Sequence, residues 1–272
     1  MIFETLKVKR EAAVLFVQIC APPMNLLGPE LVRDLVALIQ QAEAVDTVRV
    51  LVFKSADPDY FIAHVDVTRI GEYREAAAKL TGGEPSLLLR HLSASLVTIA
   101  QIEGRTGGVG SEFVLACDMR FAARESAIFR HMEPALGAIE GAGGVQHLTR
   151  LMGRGRAFEV LTSAEDYDAE LAERYGWINR ALPAAQLSDF VSALAHRIAK
   201  FPAGGLASIK RRVNDIALAP ADDFRRDAAI FLEDVRKPEA QARIQAAMKR
   251  GFQTREGELS LAQLLGELPS PD

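Results

Sequence analysis

The chain has 272 residues, 49% of them hydrophobic and 25% charged, with a formal net charge of −4 and a pI near 5.8. This composition is ordinary for a globular chain of one large domain with a smaller appendage, long enough to bury a core without disulfides or metals. The acidic balance and the lack of a basic run argue against nucleic acid or an anionic membrane surface as partner. Cys20 and Cys117 lie far apart in the apolar runs "VLFVQIC" and "EFVLACD". They fit neither a disulfide framework nor a metal cluster and read as small core residues of a reducing compartment. The start "MIFETLKVKREAAVLFVQI" lacks a signal-peptide layout, and no apolar run reaches membrane-spanning length, so a cytoplasmic location is expected.

"AAVLFVQI" (residues 12–19) is a continuous apolar, β-branched run, as in a strand buried on both faces. "CAPPMNLLGPE" follows as a turn, because its prolines forbid regular helix. "PELVRDLVALIQQAEA" carries Leu31, Leu35, Leu38 and Ile39 at helical spacing, with Pro29 in the first turn. "VRVLVFKS" (residues 48–55) is a second buried strand. Strand, helix, strand is the signature of a right-handed crossover in a largely parallel sheet, hence an α/β fold. A polar helical stretch broken by "TGGEP" (residues 81–85) reads as a mobile surface segment. "LVTIAQIEG" (residues 96–104) is a third strand running into a glycine loop. "SEFVLACD" reads as the helix after that loop and "MRFAA" as the next strand. After about Gly141 the pattern turns helical, with only "WINRAL" (residues 177–182) strand-like; the final "PSPD" reads as frayed.

The loop "GRTGGVGSEF" raises the chemical question. A phosphate-binding loop needs Lys and then Ser or Thr after its last glycine, and here Ser111 and Glu112 follow Gly110. The dinucleotide fingerprint needs G-x-G-x-x-G, and this spacing is G-x-x-G-G-x-G, with a carboxylate that would repel a phosphate. What remains is a strand, a tight turn and a helix N-terminus with unpaired N–H groups. Glycines let a ligand approach that backbone closely, so the turn suits an oxyanion forming on a carbonyl. Glu112, one turn in, suits acid–base work; a first-turn glutamate also simply complements the helix dipole. A second stretch, "FRHMEPALGAIEGAGGVQHLTRLMG", sets Glu133 before a proline and a glycine-rich approach to a helix. Two glutamates in such settings suit acid–base chemistry on a water or a substrate carbon; Glu133 is otherwise a solvated loop charge.

These residues, in this order, resemble the crotonase family of enoyl-CoA hydratases and isomerases. The resemblance covers about residues 10–255 and rests on "PPMNLLGPEL", "VRVLVFKSADPDYFIAHVDV", the two glycine-rich stretches and "AERYGWINRALP". It implies a crotonase-like ββα spiral core with a C-terminal helical appendage, taken as residues 1–200 and 201–272, the latter for oligomerisation or as a lid. It implies an acyl-CoA thioester held by two backbone N–H groups, those of Val65 and Val109. Ala63, His64, Asp66 and Gly108 flank those donors, Glu112 and Glu133 fall on both hydratase glutamate positions, and Gly141 on a glycine that helps position the water. No metal or redox cofactor is implied, CoA being part of the substrate. A homotrimer or hexamer is expected.

The departures cluster at the site. His64 and Val109 stand where the family commonly has glycine. His64 reads as a partly exposed loop residue, or else one reaching into the acyl pocket. His131 and Met132 replace a common Gln-Pro, so His131 either bonds a carboxylate or faces solvent. Lys249, Arg250 and Phe252 sit where the family's last helix covers CoA, and about twenty residues follow Phe252, with "LSLAQLLGEL" apolar enough to dock. The first expectation is hydration of a 2-enoyl-CoA. The others are another family reaction on acyl-CoA (isomerisation, C–C cleavage or thioester hydrolysis) and a catalytically weak acyl-CoA-binding protein.

Overall fold

Apolar, mostly β-branched strands form the centre of the computed structural model, which describes residues 2–94 and 96–269; the last three residues of "PSPD" lie outside them. The strands are β1 (Leu6–Glu11), β2 (Val14–Ile19), β3 (Val50–Ser55), β4 (Tyr60–Ile62), β5 (Val97–Ile102), β6 (Arg105–Gly107), β7 (Met119–Ala123), β8 (Ile128–Arg130), β9 (Tyr167–Asp168) and β10 (Arg180–Leu182). Six of them form one sheet in the order β1-β2-β3-β5-β7-β10, and four form a second in the order β4-β6-β8-β9. The expected parallel crossover is present: β2 pairs β3, β3 pairs β5 and β5 pairs β7, all parallel. This mixed α/β architecture, followed by C-terminal helices, is the expected fold class.

Three elements differ from the sequence expectation. β1 is an antiparallel edge strand hairpinned to β2. Its mixed "LKVKRE" sequence buries Leu6 and leaves Lys7 exposed, as edge strands do. The segment before β5 is not a mobile polar surface. Its helices Tyr73–Ala76, Ala78–Thr81 and Ser86–Ala94 bury Tyr73, Ala76, Leu88, Leu89 and Leu92 in the main core. The break between them holds, with Gly82 and Gly83 at φ of 67° and 88°. Finally, only Arg180–Leu182 of "WINRAL" is strand; Trp177 is fully buried before it.

The helix Pro29–Glu43 and the helix Val109–Ala116 pack one face of the large sheet. The helix Ala184–Ala199 covers the other with Leu187, Val191 and Ala195 against Val50, Val52 and Ile99. The long helix Gly144–Ser163 breaks at Gly153. The helices Ala203–Ala217, Ala221–Asp234 and Pro238–Lys249 follow, then two short ones, Arg255–Leu259 and Leu261–Gly266. Among the described residues no helix is long and apolar enough to cross a membrane.

The second sheet decides where the loops go. β4, β6 and β8 are parallel neighbours, with Ile62 opposite Thr106 and Thr106 opposite Phe129. Residues after these strands therefore leave the sheet side by side. The helix Val109–Ala116 rides very close to β4: a Cβ on Gly110 would lie 2.1 Å from the Ile62 carbonyl oxygen. Backbone cannot yield there as a flexible side chain can. G110A is thus expected to lose about 3 kcal/mol of stability or fail to fold, read as a lowered urea midpoint or absent soluble protein.

Candidate active site

Three adjacent segments, residues 63–66, 108–112 and 131–133, emerge from the parallel strands β4, β6 and β8. In the first, the backbone N–H of Leu27 donates to the His64 carbonyl (2.9 Å), and Asp66 N–H donates to the Leu27 carbonyl (3.4 Å). A trans peptide sets the Val65 N–H opposite to the His64 carbonyl, so it points away from Leu27. Val65 N–H makes no hydrogen bond among the described residues, and neither does the N–H of Val109, the first residue of its helix. Val65, His64 and Glu133 line a small cavity of about 40 Å³ whose wall is otherwise apolar, including Val67, Met132, Leu136, Phe231 and Phe252. A larger cavity of about 200 Å³ lies by Arg49 and Val97, at the opposite ends of β3 and β5, away from both glutamates.

Val109 and Glu112 do not line the smaller cavity; they meet it through Gly108. Gly108 has φ 49° and ψ −125°, and a Cβ there would fall 2.5 Å from Glu133 Oε1. The positive φ favours glycine there, and any side chain would also displace the Glu133 carboxylate. Glu112 is 2% exposed, and its Oε1 accepts the backbone N–H groups of Ala142 (2.7 Å) and Gly144 (2.8 Å). Burial, helped by the nearby Glu133 charge, raises the Glu112 pKa to about 8 despite those donors. Gly141, just before them, is pressed by Phe231: a Cβ would sit 2.9 Å from its ring.

The other expected site residues serve the frame. Ala63 is buried, and its carbonyl accepts Gly107 N–H. The Asp66 Oδ1 accepts from Thr68 and Gln253, which hold the carboxylate ionised against the cost of burial. His64 is not an exposed loop residue; it borders the cavity, but both its ring nitrogens are turned into the protein. It is 1% exposed, with Nδ1 2.7 Å from the Val65 carbonyl and Nε2 2.8 Å from Glu258. Its φ is negative, so its backbone needs no glycine. Phe252 is also buried, stacked on His64 at 4.6 Å, and so does not offer a free face to CoA.

Sequence reasoning missed Glu140 and left His131 open. Both are buried, with His131 Nδ1 3.5 Å from Glu140 and 3.7 Å from Glu133. Burial opposes a charge on His131, but the two carboxylates outweigh it and push its pKa up to about 10. The ligand atoms of His131, Glu133 and Glu140 lie within 4.8 Å of one another, close enough for a metal. The same closeness lets an imidazolium neutralise both carboxylates directly. The available signal was Glu140 itself, a lone charge in the apolar and glycine-rich "PALGAIEGAGGVQ".

The profile of the enoyl-CoA hydratase/isomerase family matches residues 9–253. The chain is similar to a candidate enoyl-CoA hydratase from Streptomyces avermitilis, whose crystal structure superposes with a TM-score of 0.97 at 48% identity over 98% of each chain. It is 26% identical over 254 residues to the short-chain-enoyl-CoA hydratase of Clostridium acetobutylicum, covering 91% of this chain and 97% of that one. The Pseudomonas aeruginosa protein DspI superposes with a TM-score of 0.72 at 26% identity over 86% of this chain and 97% of that one. The chain therefore belongs to the enoyl-CoA hydratase/isomerase family.

Glu112 gains proton affinity on folding, from an ordinary 4.5 to about 8. The stability it permits is full below 4.5 and is lost as pH rises through about 8. Wild-type melting temperature is expected to fall relative to that of E112Q between pH 5 and 9, read by parallel thermal melts.

Proposed function

We propose that the protein adds water across the 2,3 double bond of an acyl-CoA thioester. The Val65 and Val109 N–H groups hold the thioester oxygen. That polarisation makes C3 electrophilic and stabilises the enolate that forms. A water between Glu112 and Glu133 attacks C3. Glu133 takes the water's proton, and neutral Glu112 delivers its own proton to C2. The observation that carries this reading is the contrast between the two carboxylates. Glu112 is fully buried with its proton affinity raised, whereas Glu133 is 13% exposed on the cavity wall and faces a cationic His131. The chemistry needs no metal and no redox cofactor, and CoA enters only with the substrate.

A binding-only role drew its support from His64 and the two valines, which would block the loop. Both His64 nitrogens are engaged within the protein, which speaks against the histidine part of that support. The apolar cavity wall favours an uncharged acyl group. Assembly as a homotrimer or hexamer is part of the same reading. Ile209, Val213 and Ile216 lie along one face of the helix Ala203–Ala217 at 64%, 54% and 73% exposure, an apolar stripe that a neighbouring copy would cover.

Pure protein is expected to bleach the conjugated-thioester absorbance of crotonyl-CoA and of longer or aromatic 2-enoyl-CoA, but not that of an analogue ending in a carboxylate. E112Q and E133Q should each cut kcat by about 10²–10⁴-fold. Wild-type kcat should fall as pH rises through about 8, where Glu112 loses its proton. No bleaching by wild type would defeat the hydratase reading and leave isomerisation, cleavage or thioester hydrolysis to product analysis. Sedimentation is expected to give three or six chain masses, and a mass of one chain would exclude the assembly.

A further inference from the structure

The family match ends at residue 253, yet the chain continues as an ordered strap over the first oxyanion segment. Arg255 bonds both Asp57 and Asp59, and the Tyr60 hydroxyl donates to the Arg255 carbonyl at 2.8 Å. Gln253 accepts the Val67 N–H at 2.8 Å. Leu261, Leu264 and Leu265 pack with Met132, Leu136 and Phe252. At the centre of this contact Glu258 is 2% exposed, and its Oε1 meets His64 Nε2.

His64 is the informative partner. One ring nitrogen faces a carboxylate and the other a backbone carbonyl, and both of those groups are acceptors. A neutral imidazole has one N–H and satisfies only one of them. A ring protonated on both nitrogens satisfies both, and Glu258 supplies the counter-charge. Burial works against the Glu258 charge, but His64, the Gln253 N–H and Arg130 together outweigh it, and the carboxyl stays below its usual range. The ring grips the Val65 carbonyl, while Leu27 grips the His64 carbonyl. The peptide groups on both sides of the Val65 Cα are thereby held, and the remaining free group is the Val65 N–H.

We propose that the segment past Gln253 completes the oxyanion site: Glu258 holds a doubly protonated His64, and His64 fixes Val65 so that its N–H faces the thioester oxygen. His64 and Glu258 are positioning residues, not catalytic ones. The two oddities of the sequence, a histidine in a glycine position and an extended C-terminus, are then one device. This rests on the oxyanion reading of Val65 and not on hydration as such.

The test uses the full-length protein and cinnamoyl-CoA, whose chromophore shifts to the red when its carbonyl is polarised. It is done in the E112Q background to suppress turnover. The E112Q protein is expected to shift the bound chromophore. Adding E258A should remove at least half of that shift, and E258A alone should lower kcat for crotonyl-CoA about tenfold or more with little change in KM. E258Q should retain most of the shift, because its amide offers an N–H to a singly protonated ring and the geometry survives. E258D, which keeps the charge but withdraws it by one methylene, serves if E258A does not fold and should also lose the shift. An unchanged shift in E258A, or in E258D where that stands in for it, would overturn the proposal, as would the absence of any shift in the E112Q protein. A protein that shifts the chromophore but fails to hydrate crotonyl-CoA would defeat the hydratase reading and leave this inference standing.

Discussion

Glu112 Oε1 accepting the N–H groups of Ala142 and Gly144 is the contact on which the rest of the site depends. It joins the helix after β6 to the glycine-rich approach of the helix Gly144–Ser163, adding a polar tie to two helices that also share the main core. The cost is a buried carboxylate. Two backbone donors at a helix N-terminus offset part of that cost, and neutralisation of the acid offsets more. The same burial that strains the fold raises the proton affinity of the carboxyl, so that under the proposed reaction stability and chemistry would be coupled through one side chain.

Around that contact the charges are arranged so that neighbouring carboxylates do not share one environment. Glu133 and Glu140 face a fully buried His131, whereas Glu112 accepts two backbone N–H groups and feels the charges of Glu133, His131 and Glu140. Without a cation at position 131, three neighbouring acidic side chains would repel one another. His131 and the carboxylate of Glu140 are complementary: each would be costly to bury alone.

Backbone conformation at Gly108 and backbone crowding at Gly110 account for the two glycines that matter most. Gly108 borders the Glu133 carboxylate with a left-handed φ, and Gly110 touches the Ile62 carbonyl. Valine is accommodated at 109 because its side chain packs toward the core and leaves its backbone N–H without a partner among the described residues. A sequence pattern that counts glycines sees all of these positions as alike; the packing separates those that are indispensable.

Much of the architecture was legible in the chain itself. β2, β3, β5 and β7 announce themselves as apolar β-branched runs, and the crossover rule makes them parallel. Glu112 and Glu133 stand out because carboxylates rarely follow such glycine-rich turns without purpose. β1 escaped notice because an edge strand half in water lacks a strong apolar pattern, and the buried helices before β5 because their apolar residues are spread over short pieces. What only the tertiary structure decided are the long-range partners. Glu258 lies 194 residues from His64, and Glu140 reads as an isolated charge until His131 is seen beside it. Periodicity reports which face of an element is apolar, but a buried charge is explained only by the group that meets it in space, and no local pattern carries that information.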